Sequence, residues 1–287
     1  MALTPEARPV GPAASNEQLW RALLTGDDPS FARDRRRHKR IPGRTRCKTC
    51  LIPLAGPAAR IIRLLRGIGP SRKNPRFCNV CELFAATHPG GAEVEVSLLF
   101  ADVRGSTTIA EGIEAAEFSR LMNSFYDASN RVLIESDALI DKLVGDEVIG
   151  LYLPLVGPDN PRRAILAARD LLRATGHGEP DGPWLPVGAG VHTGTAFVGA
   201  VGSSDTVTDF TALGDAVNVA ARLSAAAASG QVLISEEAYA TSGRDLGDLE
   251  HRRLALKGRA VPVDVRVLTI AAESPRETQP AGAASRD

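Results

Sequence analysis

The sequence predicts an α+β fold, a ferredoxin-like antiparallel sheet of split βαβ type preceded by a small metal-binding module. Three observations carry this. Residues 94–132 change from a period-two apolar pattern to a helical one, short apolar runs flank Gly145-Asp146, and all four cysteines fall ahead of this region in two C-x-x-C pairs. The chain has 287 residues, 34 Lys+Arg against 34 Asp+Glu, 44% hydrophobic and 24% charged residues, a globular composition with room for one or two domains. No apolar run approaches the roughly 18–20 uncharged residues that span a bilayer, and the first ten residues lack the apolar centre of a secretory signal. A cytoplasmic location is expected.

The neutral total hides a division, because residues 1–90 carry 17 Lys/Arg against 6 Asp/Glu while residues 91–287 carry 17 against 28. Two segments of opposite sign meet near His88-Pro-Gly-Gly91. The expected organisation is a flexible basic region with a short helix (1–44), a four-cysteine metal-binding module (45–90), a larger acidic α+β domain (91–270) and a disordered tail (271–287).

Residues 1–14 are rich in Pro and Ala and are expected to be a disordered lead-in. Ser15-Asn-Glu-Gln18 has capping-box spacing ahead of Leu19, Trp20, Leu23 and Leu24, which predicts an amphipathic helix to Gly26. From Arg33 to Arg46 the chain is mostly Arg and Lys, either a solvated arm or a contact surface for something acidic. A short helix is expected around Ile61–Leu65, bounded by Gly and Pro.

Val94, Val96, Leu98 and Phe100 predict a strand ending at Asp102, and Phe118, Leu121, Met122, Phe125, Ser129 and Val132 a long helix. Ala138–Val144 and Glu147–Leu153 predict a hairpin with Asp146 at its tip. Asn160 is expected to cap a helix with Pro161 at its first position. Trp184–Val191 and Thr195–Val201 are expected as two strands, Asp215–Ala228 as a helix and Gln231–Ser235 as a strand. Leu249–Leu254 and Val263–Leu268 close the sheet, whose helices are expected on one face.

Asp102 and Asp146 stand where adjacent strand ends, about 4.8 Å apart, would let two carboxylates share divalent ions. Hard oxygen ligands suit Mg²⁺ or Mn²⁺. The alternative is that each caps a turn. Gly188-Ala-Gly190-Val-His-Thr-Gly194 has part of a dinucleotide fingerprint but sits in a strand pattern with no helix after it, so close backbone packing is the better reading.

In order, Phe100-Ala-Asp-Val-Arg-Gly-Ser-Thr107, Lys142-Leu-Val-Gly-Asp146, Gly190-Val-His-Thr-Gly194 and Leu213-Gly-Asp-Ala-Val-Asn-Val-Ala-Ala-Arg222 make residues 94–270 resemble the class III adenylyl/guanylyl cyclase catalytic domain. The resemblance implies that Asp102 and Asp146 hold two Mg²⁺ or Mn²⁺ ions, that Lys142 and Thr211 read the purine, and that Asn218 and Arg222 orient the ribose and stabilise the reacting phosphate. It also implies active sites shared between head-to-tail protomers. Thr211 stands where many members have Asp, as in a bacterial subset that makes cyclic AMP and often responds to bicarbonate. Gly145-Asp-Glu147 also resembles the diguanylate cyclase signature, but without its second glycine and aromatic.

The chemistry suits these residue types. Cyclising a nucleoside triphosphate directs the ribose 3′-oxygen onto the α-phosphorus and expels pyrophosphate, so charge must be neutralised at both oxygens. Asn218 and Arg222 are i and i+4 on one helix face, and Arg offers a planar donor fork for phosphate. Lys142 can donate to adenine N1 while the Thr211 hydroxyl accepts from the 6-amino group; guanine reverses that pattern, which makes ATP the expected substrate.

Cys47-Lys-Thr-Cys50 and Cys78-Asn-Val-Cys81, separated by 27 residues, offer four thiolates to Zn²⁺ or an iron–sulfur cluster. Paired knuckles are the usual zinc-ribbon layout, which favours structural zinc. A regulatory role for this module, sensing metal or redox state, is expected. The second functional class is a zinc-dependent nucleic-acid binder, but of aromatic residues only Phe77 interleaves with the basic residues around the knuckles, and stacking on bases is poorly supported.

Overall fold

The computed structural model of the chain describes residues 15–43, 45–72, 75–202, 209–243, 246–256 and 261–270, with only the backbone of 140–144. The expected lead-in and tail lie outside the described residues. The spine of the sheet is β1 (Gly90–Val103), which pairs antiparallel with β4 (Val187–Val201) over its whole length and with β3 (Glu147–Tyr152) over residues 97–102. β3 folds back on β2 (Leu139–Val144), giving the order β2-β3-β1-β4 of a split βαβ sheet. Beyond β4 lie β6 (Gln231–Ser235), parallel to it, then β8 (Val263–Thr269) and β7 (Glu250–Leu254). β5 (Asp209–Leu213), which the sequence did not announce, pairs with the C-terminal end of β4.

Alternation along β1 sends Leu99, Ala101 and Val103 to one face and Val94, Val96, Leu98 and Phe100 to the other. The first face packs against α6 (Ala115–Glu135), α7 (Asn160–Ala174) and α9 (Glu236–Thr241), through Phe125, Leu133, Ile165, Ala168 and Ala238. Helices do not keep to that face. The second buries Trp20 and Leu24 of α1 (Asn16–Thr25), Cys47, Ile52, Leu54 and Phe77 of the cysteine segment, and Ala216 and Ala220 of α8 (Asp215–Ala226). The cysteine segment and the sheet therefore share one core.

Two local expectations are corrected. Trp184–Val191 and Thr195–Val201 are not separate strands, because Val187–Val201 is one continuous 15-residue strand. Its glycines admit α8 rather than break the chain: a Cβ on Gly190 would lie 2.2 Å from the Ser224 backbone nitrogen and 2.7 Å from the Ala220 carbonyl oxygen. Asn160 does not cap α7, since Asp159 is the N-cap residue. The Asn160 side chain is buried, where Nδ2 donates to Ser97 Oγ at 3.1 Å, and that hydroxyl bonds Thr193 Oγ1 at 2.7 Å. A buried amide with a partner in the sheet outweighs its capping preference.

The N-terminal elements follow local chemistry. Ser15 and Gln18 form the expected reciprocal capping box, and α1 ends at Gly26 with φ +84°. The basic stretch divides between the two readings: Arg33, Arg36, Arg37 and Arg40 are exposed, whereas Asp28 caps α2 (Pro29–Lys39) and its Arg35 is 1% exposed. The Arg35 guanidinium donates to the carbonyls of Thr49 and Ala138, tying the first cysteine knuckle to the start of β2. Burial pushes the Arg35 pKa down, and Asp137 works against that shift. Lys39 Nζ reaches Asp137 Oδ2 at 3.0 Å and the Glu135 carbonyl at 2.8 Å. α3 (Pro57–Arg66) is longer than expected, and α4 (Asn79–Thr87) begins in the second knuckle with Cys78 as its cap. No helix among the described residues is long and apolar enough to cross a membrane.

Candidate active site

β1 brings Asp102 opposite Glu147, and the Val103 N–H donates to the Asp146 carbonyl at 3.1 Å, so the strand end and the hairpin tip are held side by side. Gly145, at φ +67°, supplies the left-handed conformation that the two-residue turn needs. The Tyr126 hydroxyl of α6 donates to the Gly145 carbonyl and fixes the tip. Arg104 Nη2 lies 2.7 Å from Asp102 Oδ2, and Ser106 Oγ, at the start of α5 (Ser106–Gly112), donates to Asp146 Oδ2. Sequence reasoning singled out neither Arg104 nor Ser106, although both lie in the motif that carries Asp102. Tyr126 left no sequence signal beyond its place on the helix.

The Asp102 carboxyl is raised above its ordinary value, first by burial and then by the Asp146 charge, against the pull of Arg104. Crowded oxygen donors that repel one another fit a hard divalent cation. Without such a cation the raised value has a cost with a definite sign. The stabilising contribution of the protonated carboxyl is complete below the unfolded value, near 3.9, and is lost as pH rises through the raised folded value. Asn at this position is always neutral. In the absence of added magnesium or manganese, Asp102→Asn should therefore be more stable than the parent at pH 7 and level with it near pH 3. Urea unfolding at the two pH values checks this, and an Asn variant no more stable at pH 7 contradicts it.

α8 presents Asn218 and Arg222 four residues apart, Asn218 exposed and Arg222 half-buried, on the side away from Ala216, Ala220 and Leu223, which pack inward. Neither side chain has a hydrogen bond or ion pair among the described residues. Thr211 lies in β5 opposite Gly199, and Lys142 lies in β2 opposite Ile149; the Lys142 side chain is outside the described residues. β2 and β5 are in contact although β3, β1 and β4 separate them in sheet order. Along β4, by contrast, Gly188 faces Asp102 and Gly199 pairs with Thr211. Those positions are eleven residues apart, roughly 35 Å of extended strand. The structure thus joins Asp102 to Asp146 and sets Thr211 toward the opposite end of β4, whereas Lys142, in register through Ile149 and Phe100 with Gly190, lies near the Asp102 end although its strand touches β5.

The four cysteine Sγ atoms all lie within 4.8 Å of one another, with Cys50 and Cys78 3.7 Å apart. A single tetrahedral ion with Zn–S bonds of about 2.3 Å sets sulfurs about 3.8 Å apart, whereas a cluster interposes several iron atoms and spreads them. The backbone N–H groups of Cys78 and Cys81 point at Cys47 Sγ (3.3 Å) and Cys78 Sγ (3.4 Å). Burial alone would raise the Cys47 thiol, but hydrogen bonds from Cys50, Cys78 and Cys81 outweigh it and hold Cys47 well below the usual thiol value. The same contacts push Cys81 well up. A cation satisfies all four sulfurs together.

Lys48, inside the first knuckle, was not singled out from the sequence. Its buried Nζ reaches Asp209 Oδ1 at 2.9 Å and the Phe210 carbonyl at 2.8 Å, next to Thr211, and lies 5.7 Å from the centre of the Phe77 ring.

Residues 91–263 match the family described as Adenylate and Guanylate cyclase catalytic domain. The chain is 32% identical over 138 residues to an adenylate cyclase of Anabaena cylindrica, a match covering 45% of this chain and 26% of that protein. It is 29% identical over 169 residues to an adenylate cyclase of Mycobacterium tuberculosis, covering 58% and 38%. The chain thus spans well under half the length of these curated relatives. Among solved structures it resembles the adenylyl cyclase CyaB of P. aeruginosa, with 27% identity, a TM-score of 0.54, and coverage of 65% of this chain and 98% of that one. The guanylyl cyclase Cya2, at 24% identity and a TM-score of 0.57, shares the fold over 66% and 98% of the two chains.

Proposed function

This chain belongs to the adenylate and guanylate cyclase catalytic-domain family, and from that premise we propose that it converts ATP to 3′,5′-cyclic AMP and pyrophosphate at sites shared by two copies in a head-to-tail homodimer. The observation that carries this reading is the side-by-side placement of Asp102 and Asp146 at one end of β4, with Thr211 at the other.

Asp102 and Asp146 would hold two Mg²⁺ or Mn²⁺ ions, which supply charge neutralisation for the attacking and departing oxygens. Asn218 orients the ribose so that its 3′-oxygen faces the α-phosphorus, and Arg222 offers its donor fork to the phosphate as charge builds there. Their lack of partners among the described residues leaves both side chains available for a ligand. Lys142 donates to adenine N1 and Thr211 accepts from the 6-amino group. The contact between β2 and β5 supports a common base pocket for these two.

The cysteine module holds structural Zn²⁺ and regulates turnover. The compact sulfur cluster supports one ion, and the link from Lys48 to Asp209 and Phe210 supports a mechanical path from the first knuckle to the strand that carries Thr211. The test is to incubate the purified chain with Mn²⁺ and ATP or GTP and to identify the product by mass. Cyclic AMP in excess of cyclic GMP is expected. Preference for GTP overturns the base assignment, and no cyclic product from either, in a folded dimer, overturns the activity.

A further inference from the structure

We propose that α3 is a docking helix for an anionic lipid surface. The helix stands on the protein through Ala59, which is buried, and Ile62, which packs against the core. It turns Ile61, Leu64 and Leu65 outward with exposures of 59%, 86% and 75%. These three are related by i, i+3 and i+4 spacing and form one stripe. Arg60 and Arg63 flank it, and Arg66 closes the last turn. All three arginines are exposed.

Charge decides what can cover that stripe. Residues 35–81 hold 14 Lys/Arg and no Asp or Glu, so α3 sits in an uninterrupted basic stretch of sequence. Two copies of α3 laid against each other would bring Arg60 and Arg63 beside their own counterparts with no acid nearby in sequence to offset them. A bilayer of anionic lipids provides both complements in one surface: phosphate charge at the level of the arginines and an acyl layer below it for the aliphatic stripe. Ten residues of helix are roughly 15 Å long, too short to span a bilayer and suited to lying in the plane of its surface. The inference is independent of the proposed cyclase activity.

The test is co-sedimentation of the full chain with vesicles of phosphatidylcholine alone or mixed with phosphatidylglycerol. The parent should bind the phosphatidylglycerol vesicles at least about tenfold more strongly and lose binding as salt is raised. Arg60→Gln with Arg63→Gln should weaken binding about ten- to a hundredfold. Leu64→Asp with Leu65→Asp should abolish it while circular dichroism, thermal midpoint and turnover in solution stay at parent values, because both side chains already face water. Three results overturn the proposal: no binding to phosphatidylglycerol vesicles, equal binding to both compositions, or conversion of a dimer to monomers by the Leu64/Leu65 pair. The last would assign the face to contact between copies.

Discussion

Equal amounts of Asp102→Ala and Asn218→Ala chains, mixed and allowed to exchange, should recover about a quarter of the parental turnover, although each variant alone is nearly inactive. On the proposed roles, loss of a carboxylate from the metal pair should remove several kcal/mol of charge stabilisation, about 10³-fold in rate, and loss of the ribose-orienting amide about 10²-fold. Random pairing makes half of the dimers mixed. In a mixed dimer one site takes its carboxylates from the Asn218→Ala chain and its amide from the Asp102→Ala chain, and both are intact; the other site lacks both. The recovered fraction follows from this count. The basis is the sheet, in which Asp102 and Thr211 mark opposite ends of β4. If folded and paired variants recover nothing on mixing, the sites are not shared in this way.

Replacement of Cys47 and Cys78 by Ser should remove the proposed zinc and cost several kcal/mol of stability, since binding energy at a four-thiolate site is folding energy. The loss should not stay local. Cys47, Cys50 and Cys78 belong to the same buried cluster as Trp20, Leu98, Phe100 and Phe210, so opening the knuckles uncovers one face of the catalytic sheet. Turnover should fall with zinc content, through the knuckle that places Lys48 against Asp209 and the Phe210 carbonyl. Metal analysis, thermal unfolding and the cyclase assay on one preparation check the three effects together. Iron with acid-labile sulfide in the parent would reassign the metal. A double variant with unchanged melting and turnover would leave the module without a structural or regulatory role.

The strand, helix and hairpin that bear the candidate residues were legible in the sequence because their signals are local. Period-two alternation in Val94–Phe100, 3-and-4 spacing in Phe118–Val132 and a Gly-Asp turn each describe a few consecutive residues. β5 was not legible, since five residues opening on a charged Asp209 leave little pattern to detect. The continuity of β4 was missed because glycines that admit α8 look like glycines that end a strand. Arg35 was missed for a related reason: an arginine among arginines shows nothing of its own burial, which depends on two carbonyls, one of them 103 residues away.

By itself the sequence determined the alternation of strands and helices, the order of the cyclase-like motifs, the two cysteine knuckles and the division of charge. Only the tertiary structure decided that the basic segment covers the second face of the sheet, that Lys48 touches the strand bearing Thr211, and that Asp102 and Thr211 mark opposite ends of β4. Propensity and periodicity act over a turn or a strand, whereas the partner of a buried charge and the far end of a paired strand are set by which distant segments the core draws together.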